Sequence, residues 1–149
     1  MCVRSGPGAI PGRFPLGRGR ARLGVRSFSV EAARLPRYLG SCHCGKVRFA
    51  VDAEIDHVRV CDCSICRRRG ALIHRVEEGQ FELLSPLDEL ATYRFNTRQA
   101  TDYFCTHCGI LPFRRPRTAP HLWAVNVRCL EGVDLDAIPV EHVSGSRLP

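Results

Sequence analysis

Seven of the nine cysteines fall into three tight clusters: Cys42-His43-Cys44-Gly45, Cys61-Asp62-Cys63-Ser64-Ile65-Cys66 and Cys105-Thr106-His107-Cys108-Gly109. Thiols this close together, with a glycine that lets the chain turn behind them, can bring several sulfurs onto one ion. Cys105 and Cys108 have the spacing of a zinc knuckle, and a second pair must complete the site. Cys42 and Cys44 supply that pair, giving a closed four-sulfur site that would staple a loop of about sixty residues. The middle cluster then has three sulfurs, Cys61, Cys63 and Cys66, and no obvious fourth ligand. Three protein ligands with one open position are the pattern of a catalytic zinc rather than a structural one. Two other readings stay open on spacing alone. His43, His74 or His107 could close the middle cluster into a second structural site, or the cysteines could pair as disulfides, which their odd count and the lack of a secretory signal disfavour.

Ligands spread this far apart need a framework to position them. With 149 residues, 44% apolar and 25% charged, the chain has the length for one domain with a buried core. No apolar run approaches the 18 or so residues of a membrane-spanning helix, so no membrane partner is expected. In Lys46 to Val51 the apolar residues Val47, Phe49 and Val51 fall at every second position, on one face of a strand. Similar short runs occur at Ala71 to Val76, Phe81 to Leu84, Ala91 to Phe95, Tyr103 to Cys105, Ile110 to Phe113 and Leu122 to Val127. The pattern predicts a mainly-β domain, with one helical turn near Val133 to Ile138. Leu84-Ser85-Pro86 and Ile138-Pro139 read as strand or turn ends. Phe49 and Trp123 read as core, Cys129 as a small buried hydrophobe and Asp62 as a turn residue bonding backbone amides.

The net charge of +7 is confined to one end. Residues 1–37 carry eight arginines against Glu31 alone, whereas residues 38–149 hold 14 basic and 14 acidic side chains. The folded part, residues 38–149, therefore has no net attraction for phosphate, and nucleic acid is expected only through the arm. Frequent Gly and Pro in residues 1–37 predict a disordered leader, read either as a mitochondrial transit peptide or as an extension without function. The expected location is cytoplasmic, or mitochondrial if the leader is a transit peptide.

Taken in order, Gly40-Ser41-Cys42-His43-Cys44-Gly45 with its alternating strand, the middle CxCxxC and Tyr103-Phe104-Cys105-Thr106-His107-Cys108-Gly109 resemble the glutathione-dependent formaldehyde-activating enzyme and centromere protein V family. The resemblance continues through Pro112-Phe113, Arg115-Pro116-Arg117 and Val125-Asn126-Val127-Arg128-Cys129-Leu130 and covers about residues 38–145. It implies a mainly-β, Mss4-like (β-tent) zinc fold with two zinc ions per chain. Cys42, Cys44, Cys105 and Cys108 would hold the structural ion, and Cys61, Cys63 and Cys66 the catalytic one. Two departures stand out: Arg114 replaces the tyrosine or histidine of many relatives, and Ser144-Gly145-Ser146 lacks the usual aspartate-glycine element. Both leave the ligand set intact and bear on the substrate.

The implied activity is that of a carbon-sulfur lyase, joining a thiol to a small aldehyde, as in formaldehyde plus glutathione to S-hydroxymethylglutathione, or the reverse. A zinc held by three thiolates is formally anionic and a poor activator of water, so an incoming thiol is the natural fourth ligand. Arg67, Arg68 and Arg69, directly after the middle cysteines, are the expected partners of the glutathione carboxylates, against the reading of a solvated charge run. His74 is read either as a proton shuttle beside the cluster or as a satisfied core histidine. The alternative from another class is a non-catalytic zinc module of the centromere protein V type, acting with chromatin or cytoskeleton.

Overall fold

The computed structural model describes residues 34–147. The transit-peptide, extension and nucleic-acid readings of the leader lie outside the described residues, except for its last four positions. Arg37 already opens the first strand, and the Ala53 amide donates to the Pro36 carbonyl at 3.0 Å, so ordered pairing starts two residues before Tyr38.

Ten strands and one short helix follow, in the order β1 (Arg37–Ser41), β2 (Arg48–Asp52), β3 (Val58–Cys61), α1 (Ser64–Arg69), β4 (Ile73–Val76), β5 (Phe81–Leu83), β6 (Leu90–Tyr93), β7 (Thr101–Cys105), β8 (Phe113–Arg115), β9 (Trp123–Asn126) and β10 (Val140–Val143). They form two sheets. The smaller has the antiparallel order β1-β2-β5; the larger runs β10-β3-β4-β9-β8-β7-β6, with β10 and β3 its parallel pair. A mainly-β architecture, as expected, carries the site.

The core lies where the two sheets face one another. Val47, Phe49 and Val51 are fully buried, as their alternation requires, and they meet Phe113, Val125, Val58 and Val76 from the larger sheet. Phe49 touches Phe81 and Phe113 with ring centroids 5.8 and 5.3 Å apart, and Phe81 stacks on Trp123 at 4.3 Å. Such aromatic contacts add specific geometry to the area they bury. Gly40 sits opposite Phe49 in the β1–β2 register, and a β-carbon there would come within 2.4 Å of the ring, so a bare backbone is what lets the phenyl group into the core.

Several elements differ from the sequence expectation. Val133 to Ile138 forms bends and a turn instead of a helical turn, because the Asp134 carboxylate accepts from the Asp136 amide at 3.2 Å and holds the chain in a local loop. The helix is α1, six residues long, which is too short to show a helical period. The strand expected at Ile110 to Phe113 starts only at Phe113, after Pro112, which has no amide to donate to a ladder. Strands β3 and β10 went unmarked by pattern; β10 is a mostly exposed edge strand of Val-Glu-His-Val.

The larger sheet has two unlike faces, and this division positions the site. Val58, His74, Val76, Phe113 and Val125 turn inward, while their neighbours Arg59, Ile73, Arg75, Arg114 and Ala124 turn to a cleft on the outer face.

Candidate functional site

Two tight turns bring the first and last cysteine pairs together. Between β1 and β2 the chain turns at Gly45, whose φ of 77° favours glycine, and the Val47 amide donates to Cys42 Sγ at 3.3 Å. After β7 the same device recurs at Gly109, φ 70°, with the Gly109 amide on the Cys105 carbonyl at 3.0 Å. The sulfurs of Cys42, Cys44, Cys105 and Cys108 all lie within 4.8 Å of one another, with Cys42–Cys44 at 3.5 Å and Cys44–Cys105 at 3.6 Å. Zinc with four sulfurs at about 2.3 Å needs pairs about 3.8 Å apart, so these residues fit a closed tetrahedral site. The eight cysteines among the described residues are free thiols, none of them in a disulfide. The Lys46 amide pulls the Cys44 thiol down, but desolvation and the neighbouring sulfurs push it up to about 12. Burial opposes ionisation of Cys108, yet the Ile110 and Cys44 amides and adjacent sulfurs bring it down to about 6. Cys44 and Cys108 are thus pushed in opposite directions, and a bound cation would displace the protons of its thiol ligands.

The middle cluster is built at the junction of β3 and α1. Cys61 ends the strand, Cys63 is the N-cap of the helix, and Cys66 lies in its first turn; the three sulfurs lie within 4.8 Å of one another. Burial opposes the Cys63 thiolate, but the amides of Cys66 and Ile65 and the sulfurs beside it hold the thiol below its ordinary value. Burial pushes the Cys66 thiol up to about 12, against the nearby positive charge of Arg114. Among the described residues no histidine joins these sulfurs at that spacing. His74 is buried on the inner face, its Nδ1 2.8 Å from the His57 carbonyl oxygen, in a separate group with Asp56 and His57. His43 is exposed, and His107 Nε2 lies 3.4 Å from Glu89.

The C-terminal segment covers one side of this cluster. Strand β10 pairs with β3 up to Val143–Cys61, and the Asp62 amide donates to the Val143 carbonyl at 3.1 Å. Asp62 therefore does more than shape a local turn: its carboxylate accepts from both the amide and the hydroxyl of Ser146, each at 2.8 Å, across 84 positions. These bonds, the amide first, hold the Asp62 carboxyl below its ordinary value. Gly145 then passes so close that a β-carbon there would sit 2.3 Å from Cys61 Sγ.

On its open side the cluster faces a cleft of about 350 Å³. Its positive charge comes from Arg59, Arg75, Arg114 and Arg117, with Phe95, Asn96 and Thr97 on the rim. Arg67, Arg68 and Arg69 are not among the lining residues: Arg67 is exposed, Arg68 donates to the Ser64 carbonyl at 2.6 Å, and Arg69 reaches Asp102 at 2.6 Å. The helix turns them away because consecutive residues point about 100° apart and only Cys66 and Ile65 face the cleft. Arg59 is paired with Glu141 at 2.9 Å, whereas Arg75 donates to the Thr118 hydroxyl at 3.0 Å and has no carboxylate within 4 Å among the described residues. Desolvation, then the charge of Arg59 and more weakly that of Arg114, lower the Arg75 pKa against the opposing pull of Glu141.

Strand register lines up Arg75, Ala124, Arg114, Asp102 and Tyr93 in one row across β4, β9, β8, β7 and β6. Of these, only Arg114 stands out in the sequence, as a departure from the resembled pattern. The available signal was Asp102, an acid in the otherwise apolar run Tyr103-Phe104-Cys105. Cys129 and Trp123 behave largely as expected: burial pushes the Cys129 thiol up to about 11, and Trp123 packs in the aromatic cluster with the Arg115 guanidinium 3.5 Å from its ring centroid.

The chain is similar to a Rhodobacter sphaeroides protein of known crystal structure, 36% identical, with a TM-score of 0.64 over 69% of this chain and 99% of that one. The family model of the glutathione-dependent formaldehyde-activating enzyme matches residues 37–143, a span that includes both cysteine groups and nearly all of the cleft. With the motifs in order, the sulfurs gathered as their spacing requires and most of the chain matched, the protein belongs to the glutathione-dependent formaldehyde-activating enzyme family.

Proposed function

We propose that the protein is a zinc-dependent carbon-sulfur lyase that joins an anionic thiol, glutathione in the family's characteristic reaction, to a small aldehyde, and can run in reverse. One observation carries the reading: three sulfurs that no histidine closes form one end of a cleft whose walls carry four arginines. Cys42, Cys44, Cys105 and Cys108 would hold a structural zinc, and Cys61, Cys63 and Cys66 a second one. When bound there, zinc would keep an incoming thiol ionised at its fourth position.

The chain's own residues supply the rest. Arg75, with no carboxylate within 4 Å among the described residues, would bind a substrate carboxylate, and the Gly145 backbone, anchored by the Asp62–Ser146 bonds, covers the Cys61 side of the cluster. In the forward direction the sulfur lone pair forms the carbon-sulfur bond. The carbonyl π pair moves to oxygen, which takes a proton from solvent in the open cleft. The product is a hydroxymethyl thioether, and its collapse returns thiol and aldehyde.

Metal analysis and titration of cobalt-substituted protein test this. Close to two metal ions per chain are expected, with a change in the visible cobalt spectrum on adding glutathione and S-hydroxymethylglutathione seen by NMR once formaldehyde is present. An unchanged spectrum at full metal occupancy would sink the reading. Arg75→Ala should weaken glutathione more than ethanethiol, which has no carboxylate to bind, by roughly tenfold if one charge-assisted contact is lost.

A further inference from the structure

Asp102 is the most deeply buried charged residue of the larger sheet, with 1% of its surface exposed. An isolated carboxylate there would be costly, and two guanidinium groups remove the cost: Arg69 Nη1 lies 2.6 Å from Oδ2 and Arg114 Nε 2.9 Å from Oδ1. Arg69 comes from α1, the helix that carries Cys66, and Arg114 from β8, directly opposite Asp102 in register. One arginine would suffice to balance the acid and tie the helix to the sheet. The second leaves the trio with a net positive charge. Arg114 is engaged at both ends: Nε forms an ion pair with Asp102, and Nη1 donates to Cys66 Sγ at 3.2 Å.

We propose that Arg114, aimed by Asp102, is a positioning residue of the middle metal centre that donates a hydrogen bond to the Cys66 sulfur and offsets the negative charge of the three-thiolate set, so that a further anionic ligand can bind. This rests on the reading that Cys61, Cys63 and Cys66 hold a metal that accepts a thiol. The charges fit together: three thiolates on a divalent ion leave one negative charge, and the Arg69–Asp102–Arg114 trio supplies one positive charge beside it. Without Arg114 an incoming thiolate would meet an anionic centre with no compensating charge on its Cys66 side. The hydrogen bond also draws electron density from Cys66, which keeps the metal a better acceptor.

The test uses the full chain loaded with cobalt, comparing wild type, Arg114→Gln and Arg114→Lys, with ethanethiol and glutathione as ligands. Loss of the hydrogen bond in Arg114→Gln should move the sulfur-to-cobalt charge-transfer band to longer wavelength. Both thiols should bind roughly tenfold or more weakly, the size of one charge-assisted hydrogen bond. Arg114→Lys, which keeps the charge but not the geometry, should show the shifted band and recover part of the thiol affinity. A wild-type band with unchanged ethanethiol affinity in Arg114→Gln would overturn the proposal. So would a loss confined to glutathione, since Arg114 would then be reading the peptide's carboxylates. If the glutamine variant does not retain cobalt, Arg114→Lys decides alone, and a wild-type band position there overturns the proposal. Failure of wild type to bind any thiol would overturn the lyase reading, and the band shift would still decide the bond to Cys66.

Discussion

Gly145 is the position with the least room beside the middle cluster, since the β-carbon of any side chain would sit 2.3 Å from Cys61 Sγ, well inside van der Waals contact. Gly145→Ala should therefore push that sulfur out of place. Overpacking of this kind costs about 1–3 kcal/mol, so metal affinity at the middle site should fall roughly tenfold to a hundredfold while the four-cysteine site keeps its ion. Competition with a chromophoric chelator reads both sites, and unchanged affinity would show that the C-terminal segment does not press on Cys61. At this scale the seven cluster cysteines were legible from their spacing, because thiol ligands must be close in sequence or turned by glycine to share an ion. Arg59, Arg75 and Asp102 were not: each is an ordinary strand residue until register places it beside a sulfur or another charge.

Among the elements, β10 and the turn after it have the least burial to hold them and the most specific anchoring. Strand β10 is exposed along most of its length and stays in place through its ladder to β3, the Arg59–Glu141 pair and the Asp62–Ser146 bonds. The Asp62 carboxyl is held below its ordinary value of 3.8, so its folded value lies under the unfolded one. Its contribution is complete above 3.8 and is lost only as pH falls through the lowered folded value. Asp62→Ala should thus speed metal loss from the middle site by a factor that stays constant between about pH 6 and pH 8, where the carboxylate is ionised in both states. Measured off-rates whose ratio drifts across that range would assign the effect to the thiols instead. The inward face of β2 could be read from Val47, Phe49 and Val51, because an alternating strand declares its buried side. Helix α1 and strand β10 could not, one being too short for a period and the other lacking an apolar face.

Across the whole molecule, the proposed function has the two cysteine groups divide the labour between stability and chemistry. Cys44 and Cys105 are 61 positions apart, and their group ties the β1–β2 turn of the smaller sheet to the end of β7 in the larger. A structural zinc contributes about 10–16 kcal/mol to folding, on the order of the whole stability of a domain this size. Cys108→Ala should therefore cost most of the cooperative thermal transition, and Cys63→Ala should reduce the metal content from two to one with a fall of only a few degrees. Calorimetry with metal analysis tests the pair, and equal destabilisation by both would count against separate roles. The cysteine pairs and triplet, the β class and the alternating core strand were legible within the sequence, since spacing and period are local and each follows from the reach of a few consecutive residues. Tertiary structure alone decided which arginines face the middle sulfurs, that Asp62 reaches Ser146 and that Arg114 is held between Asp102 and Cys66. Those relations join Asp102 to Arg114 across 12 positions, Cys66 to Arg114 across 48 and Asp62 to Ser146 across 84, brought together by the register of strands whose partners no local pattern names.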